Sequence, residues 1–563
     1  MKYRAYPRLV CLFLVLTPAW AFANDLLTRT LDAVRDAETV EMAGVPLLSG
    51  RLLADFYAKR GGEFVWTDPR RVRALLDLVE ESRSAGFSPH DFHAETLGGM
   101  VAGGALDEVG ESERIAMDVL LSDALLRYVH HTRYGKVDMV AIDPKWNDRA
   151  PAPAEKLIAE MSGALEAENM GAFMASRFEE PFWYRDLKKG LAAYAAKAHL
   201  EDLPPLPGGR LLTRGDRNSR VPPIRERLIL FGDEDLVEPE DPTLFDEALR
   251  QAVMGFQRRS GLSADGIVGP ATVGAMNAPF DEKRLAQIRI NLERMRWLYE
   301  DLPPDYLFVD VADYQVRLIR DRRIQWETRV IVGTAEAQTP MFRDEMDHLV
   351  FNPTWSVPIS IQKKMGRVSA SYTLIDRRTG RKVSGGDASN YRRYQLVQKP
   401  GPRNALGRVK FMFPNRHSVY LHDTPSRGLF GRSRRALSHG CVRVQDPERL
   451  AELVLDGSSW DRAAIDRIIG AQRTRYINLD EHLPVLLYYL TAYADASGTH
   501  FRPDIYGRDA ALREAFLAGP ARGARIAFPE PQEPAEDERH PPNSSGDEDG
   551  ASSNGVRLTR AER

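Results

Sequence analysis

The heptapeptide Ser438-His439-Gly440-Cys441-Val442-Arg443-Val444 holds one of only two cysteines in the chain, with a histidine two positions before it. A second histidine, His422, ends the run HSVYLH one arginine-rich loop upstream. An ordinary thiol, with a pKa of about 8.5, is only a few per cent thiolate at neutral pH, and an imidazole that takes its proton raises the reactive fraction. Glycine beside the nucleophile lets backbone and substrate approach closely, and successive N–H groups in such a turn can face a developing oxyanion. Cys441 as nucleophile, His422 as base and the turn at His439 and Gly440 as oxyanion pocket are the parts of a cysteine acyl-transfer centre. Two other readings stand beside it. An isolated cysteine is commonly a small buried hydrophobe, and His417, His422, His439 and Cys441 could form a metal site, although their irregular spacing is unlike structural zinc.

The other cysteine decides how Cys441 is read. Cys11 lies in residues 1–23, where Lys2, Arg4 and Arg8 precede an apolar run that closes on Ala21-Phe22-Ala23. This is the layout of a secretory signal peptide, with an uncleaved anchor as the alternative. After cleavage the chain keeps one cysteine and forms no internal disulfide, which leaves intermolecular pairing or a free reactive thiol. No later stretch approaches about 20 apolar residues without charge, so the mature protein is expected to be exported and soluble.

These residues need elements to position them. A length of 563 residues predicts several domains, and 43% hydrophobic content supplies ordinary cores. The formal net charge of -3 gives no reason to expect nucleic acid as a partner. Residues 24–205 read as mostly helical, with Ile115, Val119, Leu120, Leu126 and Val129 at helical spacing in one run. His130 and His131 beside Arg133 at its end could suggest a site, but are read as surface or capping histidines. The Pro-Gly stretch LPPLPGG breaks this pattern at 203–209.

From 206 to 280 the sequence reads as a small helical bundle. Phe245, Leu249, Val253 and Phe256 form one apolar helix face, Gly261 a C-cap, Asp265-Gly266 a turn and Pro270 a helix start. Its segment FQRRSGLSADGIVGPATVGAMN resembles the type-1 peptidoglycan-binding module through its Phe-Gln, Asp-Gly and Gly-Pro-x-Thr features. The resemblance implies attachment to cell-wall glycan or stem peptide, or a spacer that no longer binds. A linker helix is expected over 281–303, with Leu285, Ile288, Leu292 and Met295 on its packed face. From Tyr306 the apolar period changes to two, and YLFVDVADYQVRLIRDRRIQWETRVIVG reads as a hairpin turning at Asp321-Arg322. Further strands follow at HLVFNPTWSVP, RVKFMFPN and HSVYLHDTP.

His422 followed by Ser438-His439-Gly440-Cys441-Val442-Arg443 resembles the catalytic domain of the L,D-transpeptidases, the YkuD domain. The order of parts is similar to the large periplasmic members of Gram-negative bacteria. The resemblance implies a multidomain α+β protein: a helical N-terminal scaffold, a three-helix peptidoglycan-binding bundle and a β-sandwich-like catalytic domain over 304–510. Residues 366–407 would be a cap insertion, with a plain surface excursion as the alternative. It implies Cys441 as nucleophile, His422 as base, and His439 and Gly440 as shapers of the oxyanion pocket. Arg443, Ser438, Tyr420 and Arg435 are expected at the substrate. The base's partner is expected to be a main-chain carbonyl, with the Asp423 side chain orienting or merely structural. Arg427, Arg432 and Arg434 from the loop RGLFGRSRRA suit the carboxylates of stem peptides, or are simply solvated. The implied reaction is thioester formation with a tetrapeptide stem, loss of D-alanine and transfer to a diaminopimelate amine, giving 3-3 cross-links in the periplasm. It needs no metal and no organic cofactor. Water or a protein amine are alternative acceptors, and a non-catalytic wall-binding protein is the reading from another class. Residues 511–563, rich in Pro, Glu, Asp, Ser and Gly, read as a disordered acidic tail.

Overall fold

A computed structural model of the chain describes residues 19–529, apart from short stretches at 36–40, 103–109, 145–149, 198–199, 201–202, 234, 279, 299–301, 364, 366–369 and 385–386. Most of the expected signal segment therefore lies outside the described residues, as does the tail beyond 529. Residues 19–23 open a helix that runs Ala19–Arg35.

The N-terminal region is helical, as its periodicity predicts, and is built around helix α1 (Glu111–Tyr134). This helix is buried on every face and carries charge inward, because each charge there has a partner. Asp123 accepts from Arg127 at 2.6 Å and faces His93 at 2.7 Å, while Tyr57 donates to Asp118 at 2.5 Å. His130 and His131, expected at the surface, are buried instead, with their Nδ1 atoms 3.1 Å apart. Burial holds His131 well below the ordinary histidine range. The apolar spacing marks only one side of α1, and the packing of later elements closes the other.

Helix α2 (Phe182–Ala195) leads into the bundle formed by α3 (Val221–Leu230), α4 (Glu247–Arg259) and α5 (Pro270–Met276). Phe245, Leu249, Val253 and Phe256 are all at most 2% exposed in its core. Gly261 and Gly266 adopt positive φ, and Pro270 opens α5. The module's motif residues turn out to be tied to one another. Gln257 donates to Asp265 at 2.9 Å, to the Ile267 carbonyl at 3.0 Å and to Thr272 at 3.1 Å, and accepts from the Gly266 N–H at 2.9 Å. The Phe-Gln, Asp-Gly and Gly-Pro-x-Thr features thus staple this bundle shut.

The linker helix α6 (Glu282–Arg296) is capped by Asp281 and buries the four predicted apolar residues. It also buries Asn291, Glu293, Arg294 and Arg296, which bond outward on two sides. Glu293 accepts from the Val137 N–H of the helical region at 2.7 Å, and Asn291 donates to Thr491 of the β-rich region at 2.8 Å.

The β-rich region holds nine strands of one sheet: β1 (Tyr306–Asp310), β2 (Gln315–Arg320), β3 (Arg323–Gly333), β4 (Phe342–Phe351), β5 (Val409–Met412), β6 (Leu421–His422), β7 (Ala436–Ser438), β8 (Val442–Val444) and β9 (Arg475–Tyr488). Their order is β7-β3-β8-β6-β5-β4-β9-β1-β2, and β2 also pairs with β3, so the sheet folds round and meets itself. The hairpin β2–β3 turns at Asp321 and Arg322, both at positive φ. Such a pair matches the turn geometry that follows the twist of adjoining strands.

Between β4 and β5 the chain builds a separate four-stranded sheet from Trp355–Ser356, Tyr372–Asp376, Lys382–Val383 and Tyr394–Gln398. It has its own small core of Val357, Leu374, Ala388, Tyr394 and Leu396, so it begins before the expected boundary at 366. It leaves and rejoins the main sheet at one place, where Phe351 pairs with Val409.

Regular structure also continues past the expected tail boundary at 511. Helix α7 (Asp509–Leu517) buries Leu512 and Phe516, and Ile526–Ala527 pair with Ala152–Pro153. The composition of 528–563 set the sequence-based boundary, but the apolar residues of 511–527 are anchored by distant elements. Among the described residues no helix is long and apolar enough to cross a membrane.

Candidate active site

The site is assembled by three short strands. β6 pairs antiparallel with β5 and parallel with β8, in a register that sets Lys410 opposite His422, Leu421 opposite Val442 and His422 opposite Arg443. A parallel partner cannot be reached by a tight turn. Residues 423–441 therefore cross over, through a 3-10 turn at Arg427–Gly431 and strand β7, before returning as β8. Cys441 arrives beside Tyr420, where the Val442 N–H donates to the Tyr420 carbonyl at 3.1 Å. Side chains alternate along strands, so Leu421, Val442 and Phe411 enter the core at 0% exposure while Lys410, Tyr420, His422 and Arg443 share the opposite face with Cys441.

His422 is buried, and its Nδ1 lies 2.5 Å from the main-chain oxygen of Asp423. A carbonyl only accepts, so Nδ1 carries the proton and Nε2 is left as a free base. Burial, aided by the charges of Arg443 and Lys410, lowers its pKa to about 3 and keeps the ring neutral. The Asp423 carboxylate does other work, accepting from the N–H groups of Arg408 at 2.9 Å and Thr424 at 2.7 Å and pairing with Arg427 at 3.3 Å. Gly407, at φ +62°, is required beside it, since a Cβ there would lie 2.2 Å from that carboxylate.

Cys441 is a free, half-buried thiol whose Sγ lies 3.9 Å from the Ser418 carbonyl. Burial pushes its pKa up, while the main chain and phenol of Tyr420, Lys410 and Arg443 oppose that shift. Burial thus favours the neutral form of both the thiol and the imidazole. The Tyr420 and His422 rings are 5.6 Å apart, and Lys410 Nζ sits 3.8 Å from the Tyr420 ring centroid. Burial lowers the pKa of both Lys410 and Arg443, and Arg443 Nε is buried without a hydrogen-bond partner among the described residues. Lys410 was not singled out by sequence; its only signal is a lysine in the polar phase of the strand RVKFMF.

The turn before the nucleophile is shaped by groups that were expected at the substrate. Ser438 Oγ donates to the Cys441 carbonyl at 2.6 Å and accepts from the Gly440 N–H at 3.1 Å. Both contacts are within the turn, so Ser438 holds it rather than touching substrate. The Gly440 N–H is therefore engaged, whereas the Cys441 N–H donates to no described group. Gly440 itself is at φ +112°, a conformation that L side chains rarely adopt. Thr339, unmarked in the sequence, fixes the turn from below by donating to the Gly440 carbonyl at 2.8 Å and accepting from the Gly333 N–H at 2.9 Å. His439 is exposed at the rim. Arg435 is a second correction. Its guanidinium is buried against the carbonyls of Val330, Arg432 and Tyr314, at 3.2, 2.9 and 3.2 Å, because it ties the crossover loop to β3. Among the described residues no three His, Cys, Asp or Glu side chains gather as a metal site.

The sheet thus brings a free cysteine, a buried histidine whose ring faces a main-chain carbonyl, and an unengaged amide at the cysteine to one place. Residues 304–465 match the family model of the L,D-transpeptidase catalytic domain. Residues 51–191 match a scaffold domain and 217–276 a putative peptidoglycan binding domain. A putative L,D-transpeptidase of Haemophilus influenzae is 31% identical over 248 residues, covering 41% of this chain and 50% of that protein. An N-acetylmuramoyl-L-alanine amidase of Mycobacterium tuberculosis is 36% identical over 218 residues, covering 36% and 46%. The chain thus spans about half the length of these curated relatives. A solved L,D-transpeptidase of Xylanimonas cellulosilytica is 18% identical, with a TM-score of 0.17, covering 50% of this chain and 99% of that one.

Proposed function

We propose that the chain is a peptidoglycan L,D-transpeptidase of the periplasm, exported by residues 1–23 and positioned on the wall by residues 206–280. The observation that carries this reading is the shared face of Cys441 and His422, with His422 fixed as a neutral base by the Asp423 carbonyl.

Cys441 Sγ attacks the carbonyl carbon of the third residue of a tetrapeptide stem as His422 Nε2 takes the thiol proton. The Cys441 N–H bonds to the oxyanion, and the tetrahedral adduct collapses by expelling D-alanine, whose nitrogen receives the proton from His422. The thioester is then attacked by a diaminopimelate amine on a second stem. His422 takes the amine proton and returns it to the departing thiolate, leaving a 3-3 peptide bond and the free thiol. Lys410 and Arg443 have no carboxylate partner among the described residues, which suits a donor with free carboxylates. The small sheet at 355–398 rises from the end of β5, the strand that carries Lys410, and acts as the cap over the donor.

The test is product analysis by liquid chromatography and mass spectrometry after incubation with disaccharide-tetrapeptides. Free D-alanine and 3-3 linked dimers are expected. Tripeptide monomers alone would assign the acyl group to water, and an unconsumed donor would refute the acyl-transfer reading.

A further inference from the structure

A cleft of about 1450 Å3, which Cys441 does not line, opens where the helical region, the binding module and the β-rich region meet. Its walls come from α2, the end of α4 with the loop after it, strands β2 and β3, and the 431–435 stretch of the crossover loop. Its charges are unevenly matched. Arg258, Arg329, Arg432 and Arg434 line it, all exposed, and none lies within ion-pair distance of a described carboxylate. Glu336 and Tyr314 sense Arg434 at longer range. The carboxylates of the same walls are already engaged: Asp313 with Arg317 and Arg502, Glu327 with Arg317, and Asp495 with His500. Asp186 pairs with Lys189, Asp265 accepts from Gln257, and Asp504 accepts from Tyr489.

A second observation lies between these arginines. Tyr314 lines the cleft at 7% exposure, with its buried hydroxyl against the Arg435 main chain. It is held at φ +56°, an uncommon conformation for a bulky residue, under the Arg435 guanidinium 5.1 Å from its ring.

We propose that this cleft is a second binding site, taking the free carboxylates of stem peptides on a peptidoglycan strand other than the one at Cys441. Four unpaired guanidinium groups suit bidentate carboxylate binding. Ile324 and Trp326 form an apolar strip along the same wall, which fits a peptide that alternates methyl groups with carboxylates. The polymer and its place are set by the neighbours: the loop of the module at 261–265 forms one wall, and Arg432 and Arg434 precede the turn that holds Cys441 by a few residues. A strand seated here is presented to the catalytic strands by the domain junction itself. The inference rests on the transpeptidase reading for its ligand, but its test is separate from catalysis.

The experiment compares full-length parent, Cys441→Ala and the triple variant Arg258→Glu/Arg329→Glu/Arg434→Glu in binding to isolated peptidoglycan sacculi, native and carboxyl-amidated. Cys441→Ala should bind as the parent does. The triple variant should bind roughly tenfold more weakly or worse, and the parent should lose affinity by a similar factor on amidated sacculi. Parent binding should weaken with rising salt. The triple variant should still form a donor adduct at Cys441 with a soluble disaccharide-tetrapeptide. Equal binding by parent and triple variant overturns the proposal. So does parent binding that ignores amidation, which would assign the cleft to another anion, or loss of the soluble-donor adduct in the triple variant. If the parent forms no adduct while the binding results hold, the cleft stands and the catalytic reading fails.

Discussion

Two places on the same sheet bury charge, and they treat it oppositely. Beneath the β1–β2 turn, Asp313 pairs with Arg317 at 2.7 Å and with Arg502, and Arg502 donates to Tyr493 at 2.8 Å. Burial would raise the Asp313 carboxyl, but the two guanidinium groups overcome it and hold it below the usual range, while burial lifts neighbouring Asp310. Around Cys441, by contrast, burial lowers His422, Lys410 and Arg443 and raises the thiol, and the two cations face no carboxylate. A fully matched cluster is a structural joint: it fixes β2 to the segment at 491–502, and breaking it strands a charge. An unmatched cluster costs stability wherever it stands, and on the proposed reading its partner is the donor's carboxylates.

Substitutions that remove one member from each cluster should therefore separate activity from stability. His422→Gln should slow acylation by about 10^2- to 10^4-fold, the usual worth of a positioned base, with an unchanged melting temperature near neutral pH. A parallel loss of stability would make His422 a packing residue. Asp313→Ala should do the reverse, costing about 3–5 kcal/mol of stability, because Arg502 loses its carboxylate and Arg317 keeps only Glu327. Denaturant titration reads that change, and the acylation rate per folded molecule should hold. Lys410→Met should lower acylation by roughly tenfold and leave stability equal or higher, since no ion pair is lost; a destabilised variant would mean that Lys410 is matched like Arg317.

The smallest effect concerns pH. His422 has its pKa lowered to about 3 from 6.5, so it stays neutral and competent as a base from about pH 5 to pH 8, and acylation should not fall on the acid side of that range. The sign for stability follows from the same shift. The unfolded chain binds the proton first as pH drops, so the contribution of neutral His422 is present above about pH 6.5 and is lost as pH falls toward 3. His422→Gln should lose less stability than the parent between those values. An acid limb centred near 6.5 in the acylation profile would contradict the buried, neutral base.

Much of this contrast was open to reading in the chain. Period-two alternation marked the β2–β3 hairpin, and the apolar face of Phe245, Leu249, Val253 and Phe256 marked the bundle, because both patterns are local. His422, Gly440 and Cys441 carried their chemistry in residue type. What long-range register decides was hidden. Lys410 gains its position only by pairing with His422 across β5 and β6, and Thr339 only by reaching under Gly440. Ser438 and Arg435 misled for the same reason, since a hydroxyl or guanidinium beside a nucleophile suits a substrate as well as it suits a carbonyl of the fold. His130 and His131 went inside because α1 is enclosed by elements far away in sequence.

The central claim is that Cys441 becomes acylated with His422 as its base. Intact-protein mass spectrometry of the full chain, with and without a disaccharide-tetrapeptide donor, tests it directly against Cys441→Ala. The account predicts a mass gain equal to the donor minus D-alanine on the parent, and none on Cys441→Ala. No adduct and no released D-alanine with the parent, or the same adduct on Cys441→Ala, would contradict it.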